Sequence, residues 1–158
     1  MMWRACFLSM LLATIPVAAA AQDKPDFSGR WALVSASHTS PDVATSLLVR
    51  QPVTRTNYLG VPMPPAFLQL IVERYFPDLV RTDTVQIGVS GGMVGGGGVQ
   101  SRFSARWEEQ KLVMTNESGS GEHAETWELA QGSLIVTTRD RDGGGDTRSN
   151  TLTYRRLI

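Results

Sequence analysis

Four short stretches carry residue types that could do chemistry, and each can be judged by the structural context that its chemistry requires. The stretch Gly88 to Gly92, GVSGG, matches the Gly-x-Ser-x-Gly elbow of serine hydrolases. That elbow needs a strand, a sharp turn and then a helix to present the serine. The residues that follow, GGMVGGGG, are too rich in glycine to start a helix. We therefore expect Ser90 to lie in a loop and not to act as a nucleophile.

His123 is the second candidate, because GEHAE, Gly121 to Glu125, contains the His-x-Glu pair found in zinc deaminases. Those enzymes also need a Pro-Cys-x-x-Cys motif, whereas the only cysteine here is Cys6. The one other histidine, His38, lies far away in the sequence, so only the fold could bring the two together. A lone histidine lacks the partners of a zinc site or an acid–base pair. A surface position at a strand end is the favoured interpretation, with a metal role as the alternative.

Two glycine-rich stretches could bind ions. The run Gly91 to Gly98 lacks the Gly-Lys-Ser/Thr ending and the helix N-terminus of a phosphate-binding loop, so a flexible loop at the rim of the fold is expected. The stretch DRDGGGD, Asp140 to Asp146, has Gly144 and Thr151 where a calcium-binding EF-hand needs ligands. Asp and Gly are also what a hairpin turn requires. The sequence thus predicts no catalytic residue, no metal site and no cofactor.

The first 21 residues resemble a targeting segment and not a part of the folded domain. A short start with Arg4 is followed by an apolar run from Ala5 to Val17 and by small residues, Ala18 to Ala21. This order is typical of a secretory signal peptide. The apolar run is shorter than the roughly 20 residues that a membrane-spanning helix needs. We expect a removed leader over residues 1–21, a single domain over residues 22–158, no membrane span, and a periplasmic or extracellular location.

Composition narrows the possible partners. Removing Arg4 from the 15 basic residues leaves 14 against 15 acidic residues, so the net charge is close to zero. A chain without a basic excess is a poor candidate for binding nucleic acid. The expected mature chain contains no cysteine, so an apolar core and not disulfides must hold it together.

After Asp26, apolar and polar residues alternate with period two, as in half-buried strands. Such stretches recur about every 8 to 12 residues with turn signals between them, which indicates an all-β protein. We predict eight to nine strands in an antiparallel up-and-down meander. A meander of this size needs to close, because an open sheet leaves two long edges unpaired. A closed barrel is favoured, and a sandwich remains the alternative.

The segment Phe67 to Val89 is the ambiguous part of this pattern. Its first half, residues 67–76, is dense enough in apolar residues to fit a short helix. We favour two strands joined at Pro77 and Asp78, because the apolar residues are β-branched or aromatic and Pro-Asp is a turn pair.

The stretches DFSGRW, ARWEEQKLVMT, TWELAQGSLIVTTRD and LTYRR resemble small exported bacterial proteins of the lipocalin-like (calycin-like) family. The family pattern is Gly-x-Trp on the first strand, a meander, and an arginine on the last strand. The resemblance implies a barrel that is closed at one end by Gly29, Trp31 and Arg156. The alternation of side chains along the last strand independently supports a contact between Arg156 and Trp31, because Arg156 shares the apolar face of its strand with Leu152 and Tyr154.

The interior of such a barrel is either packed solid or able to hold one small ligand. We predict that an apolar ligand would contact side chains on the inward stripe and on the Pro-rich stretch Tyr58 to Leu68, which we expect beside the opening. These are Phe103, Trp107, Trp127, Tyr154, Tyr58 and Phe67. The expected function is non-enzymatic binding of a small hydrophobic molecule. The alternative is a structural or interaction module of the bacterial envelope with a solid core.

Overall fold

The structure is a computed structural model that describes residues 24–94 and 100–158. The leader predicted over residues 1–21 lies outside these ranges. Within them, the regular elements are β-strands, and no helix is long and apolar enough to cross a membrane. The strands are β1 Gly29–Ala36, β2 Ser46–Arg50, β3 Val53–Thr56, β4 Pro62–Phe67, β5 Gln69–Tyr75, β6 Val80–Gln86, β7 Ser90–Val94, β8 Gln100–Glu108, β9 Lys111–Ser118, β10 Gly121–Ala130, β11 Ser133–Asp142 and β12 Thr147–Leu157.

Ten strands form one antiparallel sheet in the order β6-β5-β2-β1-β12-β11-β10-β9-β8-β7. Strand β1 pairs with β12, so the start of the fold lies beside its end. The predicted all-β antiparallel meander is confirmed, in one curled sheet and not in two facing sheets. The number of strands exceeds the predicted eight to nine, because β7 forms in the glycine-rich stretch and β3 and β4 form a separate hairpin.

The curl of the sheet brings β5 and β10 face to face. Four strands lie between them in the sheet, yet Nη2 of Arg74 on β5 is 2.8 Å from Oε2 of Glu125 on β10. The two outer strands, β6 and β7, are consecutive in the chain. Between them, the N–H of Ile87 donates to Leu68 O at 2.8 Å and the N–H of Gly88 to Ala105 O at 2.7 Å. These bonds tie the β6–β7 connection to both sides of the sheet.

The ambiguous segment forms strands, as favoured. Strands β5 and β6 pair from Gln69 with Gln86 to Tyr75 with Val80. The N–H of Phe76 donates to Leu79 O at 2.9 Å and closes the turn around Pro77 and Asp78. A helix over residues 67–76 would have left the backbone of β2 without its partner, since β2 pairs with β5.

The core follows the period-two pattern. On β11, Leu134 and Val136 are fully buried, and on β12 their cross-strand partners Tyr154 and Leu152 are buried as well. Trp127 of β10, opposite Val136, is also fully buried. Each such side chain stabilises the fold by about 1.5–3 kcal/mol relative to an exposed position. One face of β10, β11 and β12 therefore contributes to the interior.

The chain before β1 closes one end of the barrel. Phe27 is fully buried, and its ring stacks on Trp107 at a centroid distance of 5.8 Å and meets the Trp127 ring edge-on at 5.9 Å. The indole N–H of Trp31 donates to Phe27 O at 2.9 Å. The buried side chain of Gln51 accepts from the N–H of Phe27 at 3.0 Å. This end is packed solid by aromatic rings.

Arg156 lies over Trp31 at the same closed end. The two residues are cross-strand partners, and the guanidinium carbon is 4.8 Å from the indole centroid. Gly29 has φ +139°, and a Cβ at this position would lie 3.5 Å from Arg156 Nε. A side chain would be strained in this conformation, which explains the glycine. The predicted closure residues thus lie together at one end of the barrel.

Candidate functional site

A cavity of about 1260 Å³ occupies the other end of the barrel. Its wall includes residues 42–44, which precede β2, and Phe76 in the β5–β6 turn. On its inner side, Val85, Phe103, Met114, Leu152 and Tyr154 supply apolar surface. The cavity is half-open, and it lies above the aromatic packing of the closed end. The interior is therefore solid at one end and hollow at the other.

A charged cluster lines the wall between the two halves. We call Arg74, Asp83, His123, Glu125 and Asp140 the interior ion cluster; all five line the cavity. His123 and Glu125 belong to β10, where alternate side chains point inward, so they share a face with the buried Trp127. Arg74 and Asp83 reach the cluster from β5 and β6.

Glu125 is the centre of the cluster. Its Oε2 accepts from Arg74 Nη2 at 2.8 Å and from the Trp127 indole N–H at 2.9 Å, and its Oε1 is 3.3 Å from His123 Nε2. Burial on its own would raise the pKa of this carboxyl, but the contacts with His123, Arg74 and Trp127 outweigh it and lower the pKa to about 2. Glu125 is therefore ionised at neutral pH although its side chain is only 12% exposed.

His123 lies between two carboxylates. Its Nδ1 is 2.6 Å from Asp140 Oδ1, the residue paired with it across β10 and β11, and its Nε2 faces Glu125. The hydrogen bond to Glu125 and, against the opposing effect of burial, the bond to Asp140 raise the pKa of the imidazole to about 9. Both ring nitrogens then donate, and the ring carries a positive charge at neutral pH. A general base must be able to accept a proton at the working pH, so this geometry does not favour a catalytic base.

Arg74 connects the interior ion cluster to the aromatic rings at the closed end of the barrel. Its Nε donates to Asp83 Oδ2 at 3.2 Å, and its guanidinium carbon is 5.7 Å from the centroid of the Trp127 ring. Within the described residues, no hydrogen bond is made by its Nη1, which carries two N–H groups. Arg74 thus has spare donors at the cavity wall.

The sequence-predicted ligand residues fall into three places. Phe103 and Tyr154 line the cavity, and the Tyr154 hydroxyl donates to Ala44 O at 3.1 Å. Burial raises the pKa of Tyr154 to about 12, so it stays protonated. Trp107 and Trp127 pack around Phe27 at the closed end instead.

Tyr58 and Phe67 belong to the β3–β4 hairpin. The hairpin leaves the barrel after Gln51, whose side chain bonds to Pro25 O and to the N–H of Phe27 at the closed end. It therefore starts at the end opposite the cavity. None of the residues of the stretch Tyr58 to Leu68 whose side chains the structure describes lines the cavity. The stretch follows β2 at the closed end of the barrel, whereas the cavity lies at the other end of that strand.

The remaining motifs have ordinary structural roles. Ser90, which was expected in a loop, is instead the exposed first residue of β7, and a strand and not a helix follows it. In the β11–β12 turn, Oδ1 of Asp142 accepts from the N–H of Gly144 at 3.0 Å and of Asp146 at 2.9 Å, as in a hairpin turn. His38 and His123 both line the cavity. In residues 24–94 and 100–158, no group of three or more His, Cys, Asp or Glu side chains is arranged to hold a metal ion.

The sequence interpretation did not identify Arg74, Asp83 and Glu125 as a cluster. One local signal was present: in HAETW, residues 123–127, two charged side chains share the parity of a tryptophan that must be inside. An inward charge in a small barrel requires a partner of opposite sign. That partner, Arg74, lies 51 residues away along the chain, and only the curl of the sheet brings it near.

Solved structures with the same fold include several binding proteins. Comparison with protein-family models and with curated proteins finds no match. A REP1-NXSQ fatty acid transporter has a TM-score of 0.57 at 14% identity, over 83% of this chain and 96% of that chain. The apo lipid binding protein 8 of Caenorhabditis elegans has a TM-score of 0.58 at 11% identity, over 83% and 95%. A zebrafish ileal bile acid-binding protein complexed with cholic acid has a TM-score of 0.51 at 18% identity, over 83% and 98%. The chain thus has a calycin-like β-barrel fold.

Proposed function

We propose that this protein binds one small, largely apolar molecule in the open half of the barrel, without chemical turnover. The observation that carries the proposal is the cavity of about 1260 Å³, which is larger than the roughly 300 Å³ at which ligand pockets begin. The alternative, a structural module of the envelope, assumed a fully packed core, and a cavity of this size does not favour it. The names of the similar structures, which mention fatty acid, lipid and bile acid, agree with this class of ligand.

The wall chemistry favours a ligand with an apolar body and one polar group. Phe103, Met114 and Leu152 would contact the body. The spare N–H groups of Arg74 would donate hydrogen bonds to an oxygen atom of the ligand. The side chain of Arg74 is only 17% exposed, so little water competes for these donors. A ligand with no polar group would leave these donors unpaired and bind less tightly.

The ligand would enter at the end formed by residues 37–45 and the β5–β6 turn. Both segments border the cavity, through Asp42 and Phe76, and neither is part of the sheet. This replaces the expectation that ligands pass the stretch Tyr58 to Leu68.

The test uses a fluorescent fatty acid, 11-(dansylamino)undecanoic acid, with the purified protein. We expect saturable, blue-shifted emission from the wild type and binding about tenfold weaker in Val85→Trp, because the larger ring would take up part of the cavity wall that the ligand would contact. Val80→Trp on the same strand is the control, since Val80 is 56% exposed and outside the cavity. Thermal unfolding checks that both variants fold.

Equal binding by the wild type and Val85→Trp would refute the proposed site. Native mass spectrometry of the protein purified from its own host identifies a natural ligand by the extra mass. A chain that carries no added mass and also fails to bind the probe would favour the solid-core envelope module.

We also propose that the protein is exported and that residues 1–21 are removed on the way. The basic, apolar and small segments of the leader support this. N-terminal sequencing of the protein recovered from its cells should begin after Ala20 or Ala21. An N-terminus at Met1 in the recovered protein would refute export by this route.

A further inference from the structure

The tip of the β3–β4 hairpin is an exposed apolar surface that the binding site does not use. Strands β3 and β4 pair with each other and not with the ten-stranded sheet. At the tip, the exposed fractions are 94% for Tyr58, 70% for Leu59 and 53% for Val61. Single exposed apolar residues are ordinary, but three within four positions at the end of a projecting hairpin form a contiguous patch.

The backbone of the tip is already hydrogen-bonded within itself. The Asn57 side chain accepts from the N–H groups of Leu59 and Val61, each at 2.9 Å. The N–H of Asn57 donates to Val61 O and that of Gly60 to Asn57 O, also at 2.9 Å. Unpaired backbone groups are what makes a loop costly to place in an apolar phase. This tip can lose its water without leaving those donors unpaired.

The charge of the hairpin indicates which kind of partner surface its apolar tip would bind. Residues 52–68, PVTRTNYLGVPMPPAFL, contain one basic residue, Arg55, and no acidic residue. Tyr58 has the amphipathic ring that is common at membrane–water interfaces. Apolar side chains with a basic residue and no acid are complementary to a bilayer that contains anionic lipids.

We propose that the hairpin tip docks the protein on an anionic lipid surface, with Tyr58, Leu59 and Val61 inserted and Arg55 among the headgroups. A convex tip fits a fluid bilayer without needing a matching groove. The hairpin starts at the closed end of the barrel, so docking leaves the cavity opening accessible. The proposal does not depend on which ligand the cavity takes.

The test compares the binding of full-chain variants to vesicles of phosphatidylglycerol and phosphatidylcholine in equal parts. Serine at positions 58, 59 and 61 together (Tyr58→Ser, Leu59→Ser, Val61→Ser) should lower the bound fraction by about tenfold or more, because it removes the inserted apolar surface. The matched control is the triple change Val34→Ser, Leu79→Ser, Val80→Ser, which removes exposed apolar side chains from the barrel itself. All variants share the same N-terminal sequence, so any contribution of the leader is common to them.

Position-specific labelling tests insertion directly. In a Cys6→Ser background, Tyr58→Cys and Val34→Cys each give one site for an environment-sensitive NBD label. The label at position 58 should shift to the blue on addition of the vesicles, and the label at position 34 should not. Arg55→Gln should lower the preference for phosphatidylglycerol by about fivefold, the effect of one basic residue at an anionic surface.

The proposal is overturned if the serine triple variant binds vesicles as well as the control, or if the label at position 58 does not respond. It is also overturned if the tip variants instead abolish a concentration-dependent dimer while vesicle binding is absent, since the partner would then be a second copy. Probe binding by the cavity is measured separately on the same variants. Loss of vesicle binding with unchanged probe binding separates this proposal from the proposed function.

Discussion

Replacing Glu125 by glutamine removes the central charge of the interior ion cluster and leaves its shape. The glutamine can still accept from the Trp127 indole, but Arg74 keeps only Asp83 as a charged partner. His123 loses one of its two carboxylates. The substitution therefore tests whether the ionised carboxylate stabilises the fold.

The expected loss of stability in Glu125→Gln follows from the lowered pKa of Glu125. Lowering it from 4.5 to about 2 on folding corresponds to about 3 kcal/mol in the free energy of unfolding. A neutral glutamine resembles the protonated carboxyl, so we expect Glu125→Gln to be less stable than the wild type by about 3 kcal/mol at pH 7. The shift of His123 reports in part the same contact, so the two free energies are not summed.

The pH dependence has a fixed sign. A carboxyl whose pKa is lowered in the folded state contributes stability above its unfolded pKa, and that stability is lost as the pH falls through the folded value. For Glu125 the loss runs from about pH 4.5 towards pH 2. The difference between wild type and variant should therefore be full at pH 7 and shrink steadily below pH 4.5.

Urea unfolding followed by tryptophan fluorescence at pH 7, 5, 4 and 3 measures this difference. Glu128→Gln is the matched control, because Glu128 lies on the same strand with its side chain 30% exposed, paired with the more exposed Lys111. An exposed pair of this kind contributes at most about 1 kcal/mol. A difference for Glu125→Gln below about 1 kcal/mol at pH 7, or one that stays constant down to pH 3, would refute the reasoning.

Three further predictions concern single sites. Hydrogen bonding to Glu125 and Asp140 raises the pKa of His123 from 6.5 to about 9, so its stabilisation is present below pH 6.5 and lost as the pH rises through 9. Because the ring is half-exposed, we expect a loss of about 1 kcal/mol in urea unfolding, absent in His123→Gln; an equal loss in that variant would contradict the assignment. Arg156→Ala should lower the free energy of unfolding by about 0.5–2 kcal/mol and change the emission of the buried tryptophans. An unchanged melting temperature and spectrum would mean that the pairing with Trp31 does not stabilise the fold. Gly121→Ala should cost about 2 kcal/mol or more in thermal unfolding, since a Cβ would lie 2.2 Å from Arg141 O at φ +146°. Gly91→Ala, with open space at its Cβ, should change little, and equal effects of the two changes would contradict this explanation.

Local signals in the sequence predicted the regular strands well. The last strand, β12, starts directly after the turn residues of DRDGGGD, and Leu152 and Tyr154 alternate with polar residues along it, so the sequence around LTYRR is enough to place it. The β5–β6 turn was predicted at Pro77 and Asp78 for a similar reason. In both cases the information lies within a few residues of the element.

Two features escaped prediction because the sequence signals against them. Strand β4, Pro62–Phe67, includes prolines, which cannot donate to a ladder, so it forms only in a two-stranded hairpin apart from the main sheet. Strand β7, Ser90–Val94, begins in a glycine-rich stretch that lacks an apolar alternation. The end of the barrel from which the hairpin projects also has no local signal, since it depends on the direction of β2.

The interior ion cluster lies where the solid core of the barrel meets the cavity. A buried ion pair adds little net stability over apolar side chains of similar size, so stability alone does not account for it. Glu125 accepts a hydrogen bond from Trp127, which packs at the closed end of the barrel, and it contacts His123, which lines the cavity. Collapse of the open half onto this wall would have to strip water from Asp140 and His123, which are half-exposed. Along β10, the change from His123 and Glu125 to Trp127 therefore marks the level at which the solid core ends and the cavity begins.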